Sequence, residues 1–148
     1  MFDWEKWIEE HNNEDGYYNP ATQEELDLLV QDIEKSRYLL EEEYLNFLRL
    51  SNGFSHNGVL IFSTKNDIGS GIGFIEFNDM YKDFSGGESN LEIYLQSGSV
   101  IWAKQTIEQN IVYGEFEMND GVNPLKTYDN FIQMVLSSLS TYDNQEDD

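Results

Sequence analysis

The sequence contains no cysteine, two prolines, two histidines and eight basic residues among its 148 residues. Without cysteine the chain has no disulfide framework, and a zinc site would need carboxylates in place of thiolates. No apolar run approaches the roughly 20 residues of a membrane-spanning helix. The start, Met1 to Glu5, has neither the basic nor the apolar region of a signal peptide. These absences lead us to expect a cytoplasmic protein.

The charge balance is strongly acidic, with 29 aspartate and glutamate residues against eight lysine and arginine residues and a formal net charge of −21. Such a chain should repel nucleic acids and anionic membrane surfaces, and it should attract basic proteins and accelerate their encounter. Solubility alone is the alternative explanation, because net charge bears on association and solubility rather than on fold.

The apolar content of 39% and the aromatic content of 14% exceed what a disordered chain contains. A length of 148 residues is enough for one domain with a substantial core. We therefore predict a single domain over residues 1–148, with residues 1–17 as an N-terminal extension and residues 143–148 as an acidic tail.

Two helical patterns occupy the N-terminal part of the chain. Asp3 precedes a short pattern with Trp4, Trp7 and Ile8 on one face, which predicts a capped helix. Thr22-Gln23-Glu24-Glu25 is a capping box, and it opens an amphipathic pattern that predicts a helix over about 23–35.

A third helix is predicted from Glu41, with Tyr44, Phe47 and Leu48 on one face. Gly53 should end it, because glycine adopts the left-handed conformation at no steric cost. The chain is then expected to enter a sheet.

From Gly58 onward the apolar residues recur with a period of two. This period predicts strands near 58–63, 72–78, 91–96, 99–104 and 111–118. A tight turn at Ser97-Gly98 should pair Leu95 with Val100 and Ile93 with Trp102. Short connections favour antiparallel pairing, and one-sided alternation predicts helices on one face of the sheet and solvent on the other.

Thr127 is expected to cap a last helix, with Tyr128 and Phe131 on its buried stripe. The predicted fold is therefore α+β. It has N-terminal helices, a central and mainly antiparallel sheet of about five or six strands, and a C-terminal helix packed on the sheet.

The pattern of Tyr44, Phe47, Leu48, Asn52 and Gly53 resembles the central motif of the SUKH superfamily, the Smi/Knr-type domain. Upstream, the segment 19–22 and the glutamate- and leucine-rich helix after it resemble the opening of that family. Downstream, the segment 127–132 resembles its closing helix. The resemblance spans roughly residues 18 to 140.

The resemblance implies a non-enzymatic immunity protein that binds and neutralises a cognate bacterial toxin, often a nuclease. Nuclease domains tend to be basic, and an acidic partner would capture them quickly. The alternative within the same superfamily is a regulatory scaffold linked to cell-wall synthesis or signalling.

Partner contacts are expected on the open face of the sheet and on the loops 65–71, 78–90 and 119–126, because binding residues often lie on loops of a rigid scaffold. The candidate contacts are Asp79, Tyr81, Asp83, Glu88, Glu92, Tyr94, Glu115 and Glu117.

A phosphate-binding loop is not predicted from the glycine-rich run 69–73. The run lacks the following lysine, and residues 74–77 are expected to form a strand rather than a helix. His11 and His56 lie far apart in polar segments, so neither a zinc site nor a catalytic triad is expected.

Two further hypotheses remain open. Carboxylates on predicted strands would allow glycoside hydrolysis if two of them faced one cleft. The relevant residues are Glu76, Glu92, Glu115 and Glu117. Mimicry of DNA by the acidic surface is the other hypothesis. We favour protein binding over both, and we expect no enzymatic activity, no cofactor, no metal and no nucleic-acid partner.

Overall fold

The computed structural model describes residues 2–11, 18–36, 38–39, 41–87 and 90–141, and these form five helices and six strands. The helices are α1 (Trp4–His11), α2 (Gln23–Ser36), α3 (Glu42–Leu48), α4 (Phe74–Phe84) and α5 (Phe131–Ser140). The strands are β1 (Phe54–His56), β2 (Val59–Ile61), β3 (Leu91–Ser97), β4 (Val100–Ile107), β5 (Asn110–Glu117) and β6 (Lys126–Tyr128). The fold is α+β, as predicted. Within the described ranges, the helices are too short or too polar to cross a bilayer.

The strands follow one another across the sheet in sequence order, and β3 to β6 pair antiparallel with their neighbours. The predicted register of the β3–β4 hairpin is wrong, since Leu95 pairs with Trp102 and Ser97 with Val100. Gly98 has φ +58°, so it takes the first turn position and moves the turn to Gly98-Ser99. A bulge between Ile93 and Leu95 then shifts the rest of the pairing.

The contacts of the chain divide it into two compact units. Unit 1 comprises residues 1–55 and 61–77, and unit 2 comprises residues 56–60 and 78–148. The expectation of a single domain over the whole chain stays a prediction.

The helix starts predicted in unit 1 are confirmed. The backbone N–H of Lys6 donates to Asp3 Oδ1 at 3.0 Å. In the capping box, Thr22 N donates to Glu25 Oε1 at 2.8 Å and Glu25 N donates to Thr22 Oγ1 at 3.1 Å. Because each end of the box satisfies the other, the start of α2 needs no tertiary partner.

The core of unit 1 consists of the apolar faces of its helices together with aromatic residues of the following segment. Trp4 packs edge to face on Phe47, with ring centroids 5.2 Å apart, and Trp4 Nε1 donates to Glu43 Oε2 at 2.9 Å. The predicted glycine stop is wrong, because α3 already ends at Leu48 with Arg49 as its C-cap. Gly53, with φ +91°, lies instead in the bend that precedes β1. The chain then enters β1, which the sequence patterns do not identify.

The strand predicted over 72–78 is wrong, because α4 begins at Phe74. Phe74, Phe77 and Tyr81 recur at helical spacing, and all three are buried. A short apolar run fits either period, so the surroundings decide between helix and strand. As a result, most of the predicted loop 78–90 is helical.

The C-terminal helix packs on the sheet, as predicted, where α5 contacts β4, β5 and β6. Its predicted start is wrong, since Thr127 lies in β6 and Asn130 is the N-cap of α5. The side chain of Asn130 accepts from Gln133 N at 2.9 Å.

Neither face of the sheet is open to solvent along the central strand β3. Every residue of β3 from Leu91 to Leu95 is buried, so both faces of this strand are covered. Tyr94 meets Phe131 of α5 edge to face at 5.0 Å. The expected solvent-exposed face is therefore wrong for β3.

Candidate functional site

Unit 2 contains a cleft of about 350 Å³. Its walls are the end of α4, the end of β4 and the segment 118–122, and the exposed Asn90 also lines it. We call this feature the unit 2 cleft.

Two side-chain hydrogen bonds hold the segment 118–122 in place. Tyr81 Oη donates to the carbonyl of Met118 at 3.0 Å, and Gln105 Nε2 donates to the carbonyl of Val122 at 2.8 Å. Gly121 lies so close to this wall that an added Cβ would meet Tyr81 Oη at 2.5 Å. The cleft is thus built on a buried tyrosine and a buried glutamine, with a glycine required by close approach.

Asp120 supplies the carboxylate of the unit 2 cleft. Its Oδ1 accepts from Val122 N at 3.2 Å and from Asn123 N at 3.1 Å. These hydrogen bonds lower the pKa of the Asp120 carboxyl below its ordinary value, and the bond from Asn123 N has the largest effect. Asp120 is therefore charged at neutral pH. Among the described residues that line the cleft, none is lysine, arginine or histidine.

Exposed apolar side chains surround the same cleft. Phe84 at the end of α4 is 62% exposed, Val122 is 65% exposed and Ile107 at the end of β4 is 42% exposed. Grouped exposed apolar residues with a polar rim are typical of binding surfaces. The unit 2 cleft therefore offers apolar contact area around a negative charge.

The predicted contact residues do not form one surface. Asp79, Asp83 and Glu117 are exposed, the first two on α4 rather than on a loop. Glu115 is half-buried, and its Oε1 accepts from Trp102 Nε1 at 3.2 Å. Glu88 lies outside the described residues.

The exposure expected for Tyr81, Glu92 and Tyr94 is wrong, because all three are buried. Tyr81 lines the unit 2 cleft and anchors its wall. Glu92 lies 3.6 Å from Lys104 Nζ across the β3–β4 pair, and Tyr94 Oη donates to Glu92 Oε1 at 3.2 Å. The buried Lys104 supplies the counter-charge that allows the Glu92 carboxylate to be buried. The sequence patterns do not predict this pairing.

The sequence patterns missed Phe84, Ile107, Asp120 and Val122 as a group. The candidate loop 119–126 includes the last two of these residues. Phe84 and Ile107 are single apolar residues in polar surroundings, and no sequence pattern shows that α4 and β4 bring them to one cleft.

Asn52, which belongs to the SUKH-like sequence pattern, has a structural role in unit 1. Its side chain accepts from Thr64 N at 2.9 Å and donates to Thr64 Oγ1 at 3.1 Å. Its backbone N–H donates to Asn19 O, and its carbonyl accepts from Ser70 N, each at 3.0 Å. A cleft of about 340 Å³ beside it is lined by the segment 18–20, Ile68 and Gly69 among others. The polar groups of Asn52 are thus used to join three segments.

The glycine-rich run 69–73 precedes a helix after all, so the expected strand context is wrong. The backbone N–H groups of Gly73 and Phe74 at the start of α4 are nonetheless hydrogen-bonded within the protein. Gly73 N donates to Asn66 Oδ1 at 2.8 Å, and Phe74 N donates to the carbonyl of Ser63 at 3.0 Å. These N–H groups do not form a phosphate cradle, because protein oxygens already accept from them.

In the described part of the chain, no three His, Asp or Glu side chains are arranged to hold a metal ion. No model of a known protein family matches the chain, and no curated protein is significantly similar to it.

Proposed function

We propose that this chain is a non-enzymatic protein-binding module, an immunity protein that binds and neutralises a basic toxin. The observation that carries the proposal is the separation of charges in unit 2. Among the described residues of this unit, the exposed carboxylates are Asp79, Asp83, Glu108, Glu117, Asp120 and Asp129. The cations differ in burial: Lys104 is buried beside Glu92, Lys82 is half-buried and Lys126 is exposed.

This distribution leaves a negative surface that a cation-rich partner complements. Long-range attraction would accelerate the encounter, and exposed apolar side chains such as Phe84 and Val122 would supply short-range contact area. The resemblance of the segment around Asn52 to the SUKH superfamily supports the same proposal.

The direct test pairs the chain with the product of the neighbouring gene, which the proposal expects to be a basic toxin. Co-expression should restore growth of cells that produce the toxin, and calorimetry should show a stoichiometric complex. Growth arrest despite stable expression of the chain, together with no heat of binding, would refute the proposal.

A salt series separates the electrostatic part of the binding. We expect the association rate to fall steeply as ionic strength rises, while the dissociation rate changes less. An association rate that is independent of salt would show that the negative surface does not guide the partner.

A further inference from the structure

We infer that the unit 2 cleft receives an arginine side chain of the protein partner, an inference that rests on the proposed function. It names one site and one chemical group, whereas the proposed function requires neither. Four properties of the cleft lead to it: size, wall composition, charge and available acceptors.

The size fits a single large side chain. A cleft of about 350 Å³ lies at the lower end of the range of about 300–1,000 Å³ for small-molecule sites. A folded helix or strand of a partner would not enter it. One long side chain that projects from the partner surface would.

The walls fit a cation with an apolar stem. Phe84 stands 62% exposed at the rim, with its ring 5.9 Å from that of Tyr81. A guanidinium group stacks on such a ring, and its methylene stem can lie against Ile107 and Val122. A neutral apolar side chain would bury the charged Asp120 carboxylate without a counter-charge, which is unfavourable.

The carboxylate favours arginine over lysine. Both backbone N–H donors reach Asp120 Oδ1, whereas Oδ2 accepts from Asn123 Nδ2 at 3.3 Å. A carboxylate has about four acceptor positions, so Asp120 retains capacity. The amide oxygens of Asn90 and Asn119 are further possible acceptors in the lining. Arginine presents five donors in a planar fork, whereas lysine presents a point charge.

The test uses N-acetyl-arginine amide as the probe and two-dimensional NMR of the full chain as the readout. We expect saturable shifts confined to backbone amides of the segment 118–122 and of Phe84 and Ser85. N-acetyl-lysine amide should bind more weakly, and the neutral N-acetyl-norvaline amide should cause no shifts there. Equal binding of the lysine probe would overturn the choice of arginine.

Two variants remove the proposed contacts, and a third is the matched control. Asp120→Asn removes the charge but keeps an acceptor for Val122 N, and Phe84→Ala removes an exposed ring, so both should fold. Asp120→Asn should weaken the arginine probe about tenfold, the scale of one charge-assisted hydrogen bond. Phe84→Ala should weaken it about threefold, the scale of one exposed cation–π contact. Glu24→Gln removes an equal charge from exposed α2 and should change binding less than about twofold. Shifts spread over the whole surface, and reduced equally by Asp120→Asn and Glu24→Gln, would overturn the inference.

The same variants distinguish failure of the inference from failure of the proposed function. A toxin complex that forms equally well with the wild-type chain, Asp120→Asn and Phe84→Ala would leave the proposed function standing and reject the arginine site. Absence of any toxin complex with the wild-type chain would reject the proposed function, while the probe titration still tests the cleft.

Discussion

Tyr44 shows how one residue of unit 1 combines burial with hydrogen bonding of its hydroxyl. Its side chain is 1% exposed, and its hydroxyl donates to the carbonyl of Phe62 at 2.6 Å. Burial, and to a smaller extent the charge of Glu76, raise the pKa of Tyr44 well above its ordinary value. The folded protein therefore holds this proton more tightly than the unfolded chain does.

The stability of the protein should consequently fall in alkaline solution. Below about pH 10 both states keep the Tyr44 proton, and above it the unfolded chain loses the proton first, so the free energy of unfolding decreases as pH rises. Tyr44→Phe should flatten this alkaline slope and cost about 1–2 kcal/mol at neutral pH through the lost hydrogen bond. Urea unfolding of both proteins from about pH 8 to about pH 11 measures it. Parallel slopes would contradict the assignment.

Lys104 and Glu92 form a buried ion pair, with exposed fractions of 4% and 7%. Lys104→Met should destabilise the protein by about 3–5 kcal/mol, because it leaves a carboxylate buried without its counter-charge. The double variant Lys104→Met with Glu92→Leu should recover much of this loss. Urea unfolding of the four proteins completes the double-mutant cycle, and Lys126→Met on exposed β6 is the control. Additive effects of the two substitutions would mean that the pair is not coupled.

At the scale of the element, α5 illustrates how a helix start is chosen between two suitable residues. Both Thr127 and Asn130 are good N-cap types, yet the backbone of Thr127 is committed to pairing with Gly114 of β5. The helix can therefore start only after β6 ends.

Asn130→Ala should cost about 1 kcal/mol of stability, because the N–H of Gln133 loses its acceptor. Thr127→Ala should change stability by less than about 0.5 kcal/mol, since this exposed side chain caps no helix. Thermal and urea unfolding of the two variants compare them directly. A larger loss for Thr127→Ala would place the cap where the sequence pattern had predicted it.

At the scale of the whole molecule, the dominant property is a net charge of −21. Like charges on the folded surface repel one another more than they do in the expanded unfolded chain. We expect the free energy of unfolding at pH 7 to increase as sodium chloride rises from about 20 mM to about 500 mM, because salt screens this repulsion.

The same salt series near pH 4.1, the isoelectric point, serves as its control. The increase should largely disappear there, since the net charge is close to zero. A protein that lost stability with salt at pH 7 would instead depend on favourable ion pairs.

The sequence alone determined the features whose causes are local. The capping box of Thr22 and Glu25 and the α+β class each depend on short-range backbone chemistry or on an apolar period. The acidity is likewise a matter of composition. These features could be predicted because no distant residue changes them.

Tertiary structure decided everything that depends on a partner far along the chain. It made residues 74–84 helical, moved the start of α5 to follow β6, and buried Glu92 beside Lys104. It also brought Phe84, Ile107 and Asp120 to one cleft. The free energies of ion pairing, burial and register depend on contacts between separated segments, and a linear pattern does not contain those contacts.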